Sequence, residues 1–213
     1  MKTFKWTEKN DYLDYGYFSG EDLTSEMIQQ CFDLDKKFFK EEYLYNEEKV
    51  RNWLRTHNEM CSVLYSPKEN KVIAYCFYLF ISDEAFQLYK ENKLSFFTLG
   101  ERFLVKPQHD EKVNLFCLSD ACEPGWDYVK MHRIMNEYNV YNLYEMAIKK
   151  NIKVENVCID VVCEYDKKLA KQFNITECVK TNHNSEFVWG KFDPEKTWTY
   201  CKYSKPLIEA YKK

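Results

Sequence analysis

In the segment Val140-Tyr141-Asn142-Leu143-Tyr144-Glu145-Met146-Ala147-Ile148-Lys149-Lys150-Asn151-Ile152-Lys153-Val154-Glu155-Asn156-Val157-Cys158-Ile159-Asp160-Val161-Val162-Cys163 the hydrophobic period changes once. Val140, Leu143, Tyr144, Ala147 and Ile148 fall at i, i+3, i+4, i+7 and i+8, which gathers them on one face of a helix. From Val154 to Cys163 the chain is almost continuously apolar, as a strand covered on both faces must be. A buried helix face leading into such a strand points to a layered α/β chain.

Outward from that segment the pattern stays consistent. Downstream, Asp166 is placed to cap a short helix with Leu169, Ala170 and Phe173 inward. Ile175 to Lys180 and Glu186 to Phe192 read as a closing hairpin around Asn182-His183-Asn184, and the tail from about Asp193 as a short strand or helix on the surface. Upstream, Val113 to Ala121 reads as a strand after the polar loop Lys106 to Lys112. Asp83 to Asn92 resembles a short helix, while Leu94 to Val105 fits strand or helix equally. Met60 to Tyr65 and Lys71 to Ile81 form a hairpin across Ser66-Pro67-Lys68-Glu69-Asn70. A helix from Asn46 turns Val50, Trp53 and Leu54 inward. Another, Thr24 to Phe39, carries the stripe Met27, Ile28, Cys31, Leu34 and Phe38. The order is helix, helix, hairpin, strand, helix, strand, helix, hairpin, which implies an α/β (α+β) fold: a mixed sheet with helices on its faces.

With 213 residues and no Pro/Gly/Ser-rich seam, the chain is expected to form a single domain, 1–213. Apolar residues at 45% and charged residues at 31% exclude a disordered chain. A net charge of −3 gives no reason to expect nucleic acid, and the longest apolar run, Val72 to Ile81, is too short to span a bilayer. The start, Met1 to Lys9, lacks an apolar signal core, and the nine cysteines are an odd number. Reduced thiols and a cytoplasmic location are the expectation. Cys117 and Cys122, and Cys158 and Cys163, have no zinc spacing, so no metal is expected. Walker and Rossmann glycine motifs are absent from the sequence.

The element order, the helix segment Tyr141 to Val154 and the strand–turn–helix segment Val161 to Ile175 resemble the GCN5-related N-acetyltransferase (GNAT) superfamily. The resemblance covers residues 11–192, with an insertion at about 83–112. It implies a strongly twisted mixed sheet in which Val113 to Ala121 and Val154 to Cys163 are parallel neighbours. Helix 133–150 would be the right-handed crossover between them. It also implies an acyl-CoA-dependent N-acetyltransferase with acetyl-CoA as co-substrate and a small-molecule or peptide amine as acceptor; a homo-oligomer is compatible with it. Two family features are missing. The loop Gly125 to Arg133 lacks the glycine spacing that wraps a pyrophosphate, and Ala170 stands where the family often has a Tyr. The alternative is therefore a catalytically degenerate module of the same fold that binds a peptide or small ligand.

By the resemblance, Leu118, Ser119, Ala121 and Cys122 would meet the pantetheine arm, and Lys130, Met131, His132 and Arg133 the phosphates. The positive charges there also read as an ordinary solvated cluster. Asp120 would be the base that takes the amine proton, or simply an acceptor for the loop after it. Tyr165 is the nearest substitute in sequence for the proton donor missing at Ala170, or a packing residue. Asp160, a carboxylate within an apolar run, needs a partner, a polar rim or a raised pKa.

Overall fold

The computed structural model describes residues 16–181 and 185–213; the expected turn Asn182-His183-Asn184 falls outside them. Seven strands form one sheet: β1 (Gly16–Ser19), β2 (Met60–Ser66), β3 (Lys71–Ile81), β4 (Lys112–Cys122), β5 (Lys153–Val161), β6 (Glu177–Lys180) and β7 (Glu186–Lys191). Their spatial order is β1-β2-β3-β4-β5-β7-β6. β4 and β5 are parallel, and the other neighbouring pairs are antiparallel.

Helices α1 (Ser25–Phe38), α2 (Glu47–Thr56) and α3 (Asp83–Lys90) pack on one face. On the other lie α4 (Tyr128–Lys150), α5 (Glu164–Gln172) and α6 (Ser204–Tyr211). Each face encloses its own apolar core, so β3 and β4 are buried on both sides. Side-chain caps fix where several helices begin. Thr24 accepts from the Met27 N–H at 3.1 Å, Asn46 from Lys49 at 2.9 Å, and Ser82 from Ala85 at 3.2 Å. Asn151 closes α4 in the left-handed region at φ 50°, which Asn tolerates better than most residues.

The parallel β4–β5 pair with α4 as crossover agrees with the sequence. So do the β2–β3 hairpin and the inward residues of α2. Several details differ. Helix α4 starts at Tyr128 rather than 133, because the Asp127 carboxylate accepts the Lys130 N–H at 3.1 Å and opens the helix there. Phe38 and Ile148, placed on apolar stripes, are each 49% exposed. Asp166 is the third residue of α5, not its cap. Its Oδ2 accepts the Val162 and Cys163 N–H groups at 2.8 and 2.9 Å, which draws both residues out of the β5 ladder.

Leu94 to Val105 is largely irregular. It holds one 3-10 turn, Glu101–Phe103, and a single bridge from Leu104 to Ile81. The insertion is nonetheless anchored, because Tyr89 of α3 stacks on Phe187 and Phe116 at 4.6 and 5.4 Å between ring centroids. The tail is not a surface appendage either. Trp198, Cys201 and Leu207 enter the α4-side core, and Tyr203 covers Tyr141 and Tyr144 at 4.9 and 6.1 Å. The aromatic face of α4 has to be covered, and the tail is what covers it. Among the described residues, no helix is long and apolar enough to cross a membrane.

Candidate active site

Pairing between β4 and β5 runs from Lys112–Lys153 to Cys117–Ile159 and then stops, although β4 continues to Cys122 and β5 to Val161. The cause is local. β4 has an extra residue at Leu118, so that Phe77 faces Ser119 while Tyr78 faces Cys117. Such a bulge bends the strand and raises its twist. On the other side, β5 loses its backbone donors to Asp166 just past its end. The two strands part, and their unpaired ends line a cleft.

Two cavities open there. A narrow one of about 50 Å³ is walled by Leu118 and Ser119 of β4, Asp160 of β5, and Asp35 of α1. A wider one of about 350 Å³ lies along Ala121 and Cys122, the loop through Pro124 and Trp126, and Cys163 with Lys168 beyond β5. Asp120 and Phe39 line both, so the two spaces adjoin at these residues.

Asp120 is buried, and its Oδ2 lies 3.5 Å from Nδ1 of His132 on α4. Burial pushes the imidazole pKa down to about 3. Asp35 sits across the cleft and is 1% exposed. It accepts from the hydroxyls of Tyr45 and Tyr75, and from Ser119 Oγ at 3.0 Å. Burial raises its pKa to about 6, and the three hydroxyl donors oppose that rise. Sequence reasoning misses Asp35; the available signal is a carboxylate flanked on its helix by the buried Cys31, Phe32 and Leu34. Asp160, which the sequence singles out, is half-buried on the cavity wall.

No family model matches the sequence, and no curated protein matches it. Solved structures do match. The fold is similar to Arabidopsis thaliana NAA60 in complex with a bisubstrate analogue, with a TM-score of 0.54 at 8% identity over 84% of this chain and 97% of that one. It is also similar to the loading GNATL domain of CurA from Lyngbya majuscula, at 0.53 and 10% identity over 84% and 97%. The NatC complex bound to Gag peptide and CoA gives 0.50 at 8% identity over 83% and 96%. The chain has the GNAT fold.

The sequence-derived site residues of this GNAT fold separate in space. Leu118, Ser119 and Asp120 border the narrow cavity, and Asp120, Ala121 and Cys122 the wide one. Lys130, Met131, His132 and Arg133 border neither, and they lie within the first turns of α4 rather than before it. Met131 and His132 are buried in the core, whereas Arg133 is exposed with its guanidinium 5.2 Å from the Tyr200 ring centroid. Tyr165 is the second residue of α5, and its side chain lies outside the described residues. Ala170 is buried in the core.

The cleft fits one half of acyl-CoA better than the other. The wide cavity beside Ala121 and Cys122 suits a pantetheine arm in size and in its largely apolar walls. At the phosphate end, the Asp127 carboxylate already occupies an N–H of the α4 N-terminus. Glu123 stands in the same loop. Burial pushes its pKa up, but hydrogen bonds from Lys37 and Lys71, at 2.8 and 2.6 Å, outweigh that and hold it below the ordinary value. The cations available near this loop are helix side chains, Lys130 and Arg133 of α4 and Lys168 of α5, and of these Lys168 borders the wide cavity.

Proposed function

We propose that the protein is an acyl-CoA-dependent N-acyltransferase that acts on an amine. The observation that carries this reading is the meeting of the two cavities at Asp120, where β4 and β5 part. The wide cavity takes the pantetheine arm of acetyl-CoA, which supplies the activated acyl thioester, and the narrow one takes the acceptor. Asp120 accepts a proton from the amine nitrogen as the new N–C bond forms and the C–S bond breaks. His132, neutral and buried behind it, keeps that carboxylate in place. The proton for the departing thiolate comes from the Tyr165 hydroxyl, since Ala170 has none. Lys130 and Arg133 hold the phosphates by charge, an attraction that weakens with salt.

A second reading, a module that binds acyl-CoA or another ligand without turnover, is favoured by one observation: Asp127 sits where the family places phosphate-binding backbone. Transfer of labelled acetyl from acetyl-CoA to a panel of amines separates the two. Asp120→Asn should lower the transfer rate by roughly 10²–10⁴-fold at neutral pH, as loss of a positioned base does. Tyr165→Phe should slow turnover and leave acetyl-CoA binding intact. Wild-type rates in both variants would remove these assignments, and binding without any transfer would favour the module.

A further inference from the structure

The walls of the narrow cavity specify more than an amine. Four aspartates line it, Asp35, Asp120, Asp160 and Asp166, and no Lys, Arg or His does so among the described residues. Burial is the main reason that the pKa values of Asp35 and Asp166 are raised, and the charges of Asp166 and Asp160, respectively, add to it. Five aromatic side chains share the wall with aliphatic and small polar ones. Tyr45 meets Phe96 edge-on at 5.7 Å, Phe96 meets Phe97 at 5.3 Å, and Phe39 and Tyr43 complete the surface. Ring faces attract cations and pack on methylene chains.

We propose that the acceptor is an unbranched aliphatic diamine, acylated at one nitrogen and held by its charge at the other. This rests on the acyltransferase reading for the identity of the cavity. Three features favour such a molecule. At about 50 Å³ the space is small, which suits a short methylene chain better than a peptide with bulky side chains. The wall sets four aspartates beside the rings of Phe39, Tyr43, Tyr45, Phe96 and Phe97, which suits a cation carried on an apolar chain. The charges also divide by role. Asp120 stands at the junction with the wide cavity, where the reacting nitrogen must lose its proton. Asp160 lies on the opposite strand and takes the distal ammonium.

The test compares 1,4-diaminobutane with n-pentylamine, which have equal numbers of non-hydrogen atoms and differ by one charge. Calorimetric titration of the full chain should show the diamine binding at least about tenfold tighter, a difference of about 1.4 kcal/mol. The preference should shrink in high salt and vanish in Asp160→Asn. Equal affinities for the two amines in the wild-type protein would overturn the proposal whatever the variant does. Displacement of the diamine by a lysine-rich peptide at lower concentration would overturn it in favour of a basic polypeptide. Acetyl-CoA is titrated into the same protein separately. Diamine preference without acetyl-CoA binding would sink the acyltransferase reading alone, and acetyl-CoA binding without diamine preference would sink this inference alone.

Discussion

Asp35 is a buried carboxylate whose ionisation opposes folding, and the sign of that effect can be measured. Its pKa is raised from 3.8 to about 6 in the fold, so over that range the native state binds more protons than the unfolded chain. Its contribution to stability therefore falls as pH rises from about 4 to above 6, by on the order of 3 kcal/mol. His132 does the opposite. With its pKa lowered from 6.5 to about 3, its contribution is full above pH 6.5 and is lost as pH falls toward 3. Urea unfolding of wild type and Asp35→Asn between pH 4 and 8 isolates the first effect. The variant should gain on wild type as pH rises, and a pH-independent difference would contradict the burial argument. Asp120 and Asp160 are legible in sequence because each interrupts or ends an apolar strand. Asp35 is not, because one step past Leu34 a helix normally turns toward solvent, and only the packing of α1 on Tyr75 and Ser119 shows otherwise.

At the scale of elements, α4 shows why one half of a helix can be read and the other cannot. Its second half carries the apolar stripe from Val140 to Ala147. On its first half Met131, Ile134 and Met135 are buried together with three polar residues, His132, Asn136 and Asn139, at 3%, 0% and 0% exposed, so the buried face is too mixed to read as an apolar stripe. The start is set instead by Asp127, a residue with no periodic signature. Asp127→Ala should cost about 1 kcal/mol of stability through loss of the cap. Because it also removes a negative charge and frees an α4 N–H, acetyl-CoA should bind the variant more tightly, and more so at low salt. Weaker acetyl-CoA binding at an equal folded fraction would show that this helix end does not face the phosphates. Asp127→Asn, which keeps a capping oxygen, separates the charge from the cap.

The molecule as a whole is a sheet with a core on each face, and its cleft exists because the middle of that sheet comes apart. The alternation and apolar runs of the sequence give six of the seven strands; β1, four residues long, is not among them. The bulge at Leu118 and the capture of the Val162 and Cys163 N–H groups, which make the cleft, leave no periodic trace. The tail is misjudged from sequence for a related reason: Trp198 and Leu207 are too far apart to form a stripe, yet both are buried. Leu207→Ala, at a position 1% exposed, should cost about 2–5 kcal/mol in urea unfolding. A change below about 0.5 kcal/mol, the range of surface substitutions, would mean that the tail is not part of the core. The central claim is that the wide cavity between the splayed strands is the acyl-CoA site. Cys163 lies on its wall and is partly exposed, whereas Cys178 is exposed on β6 away from both cavities. Alkylation of the two thiols, followed by peptide mass spectrometry as acetyl-CoA is added, tests the claim most directly. Cys163 should be protected in proportion to the fraction bound while Cys178 reacts unchanged; unaltered rates at both thiols in millimolar acetyl-CoA would contradict it.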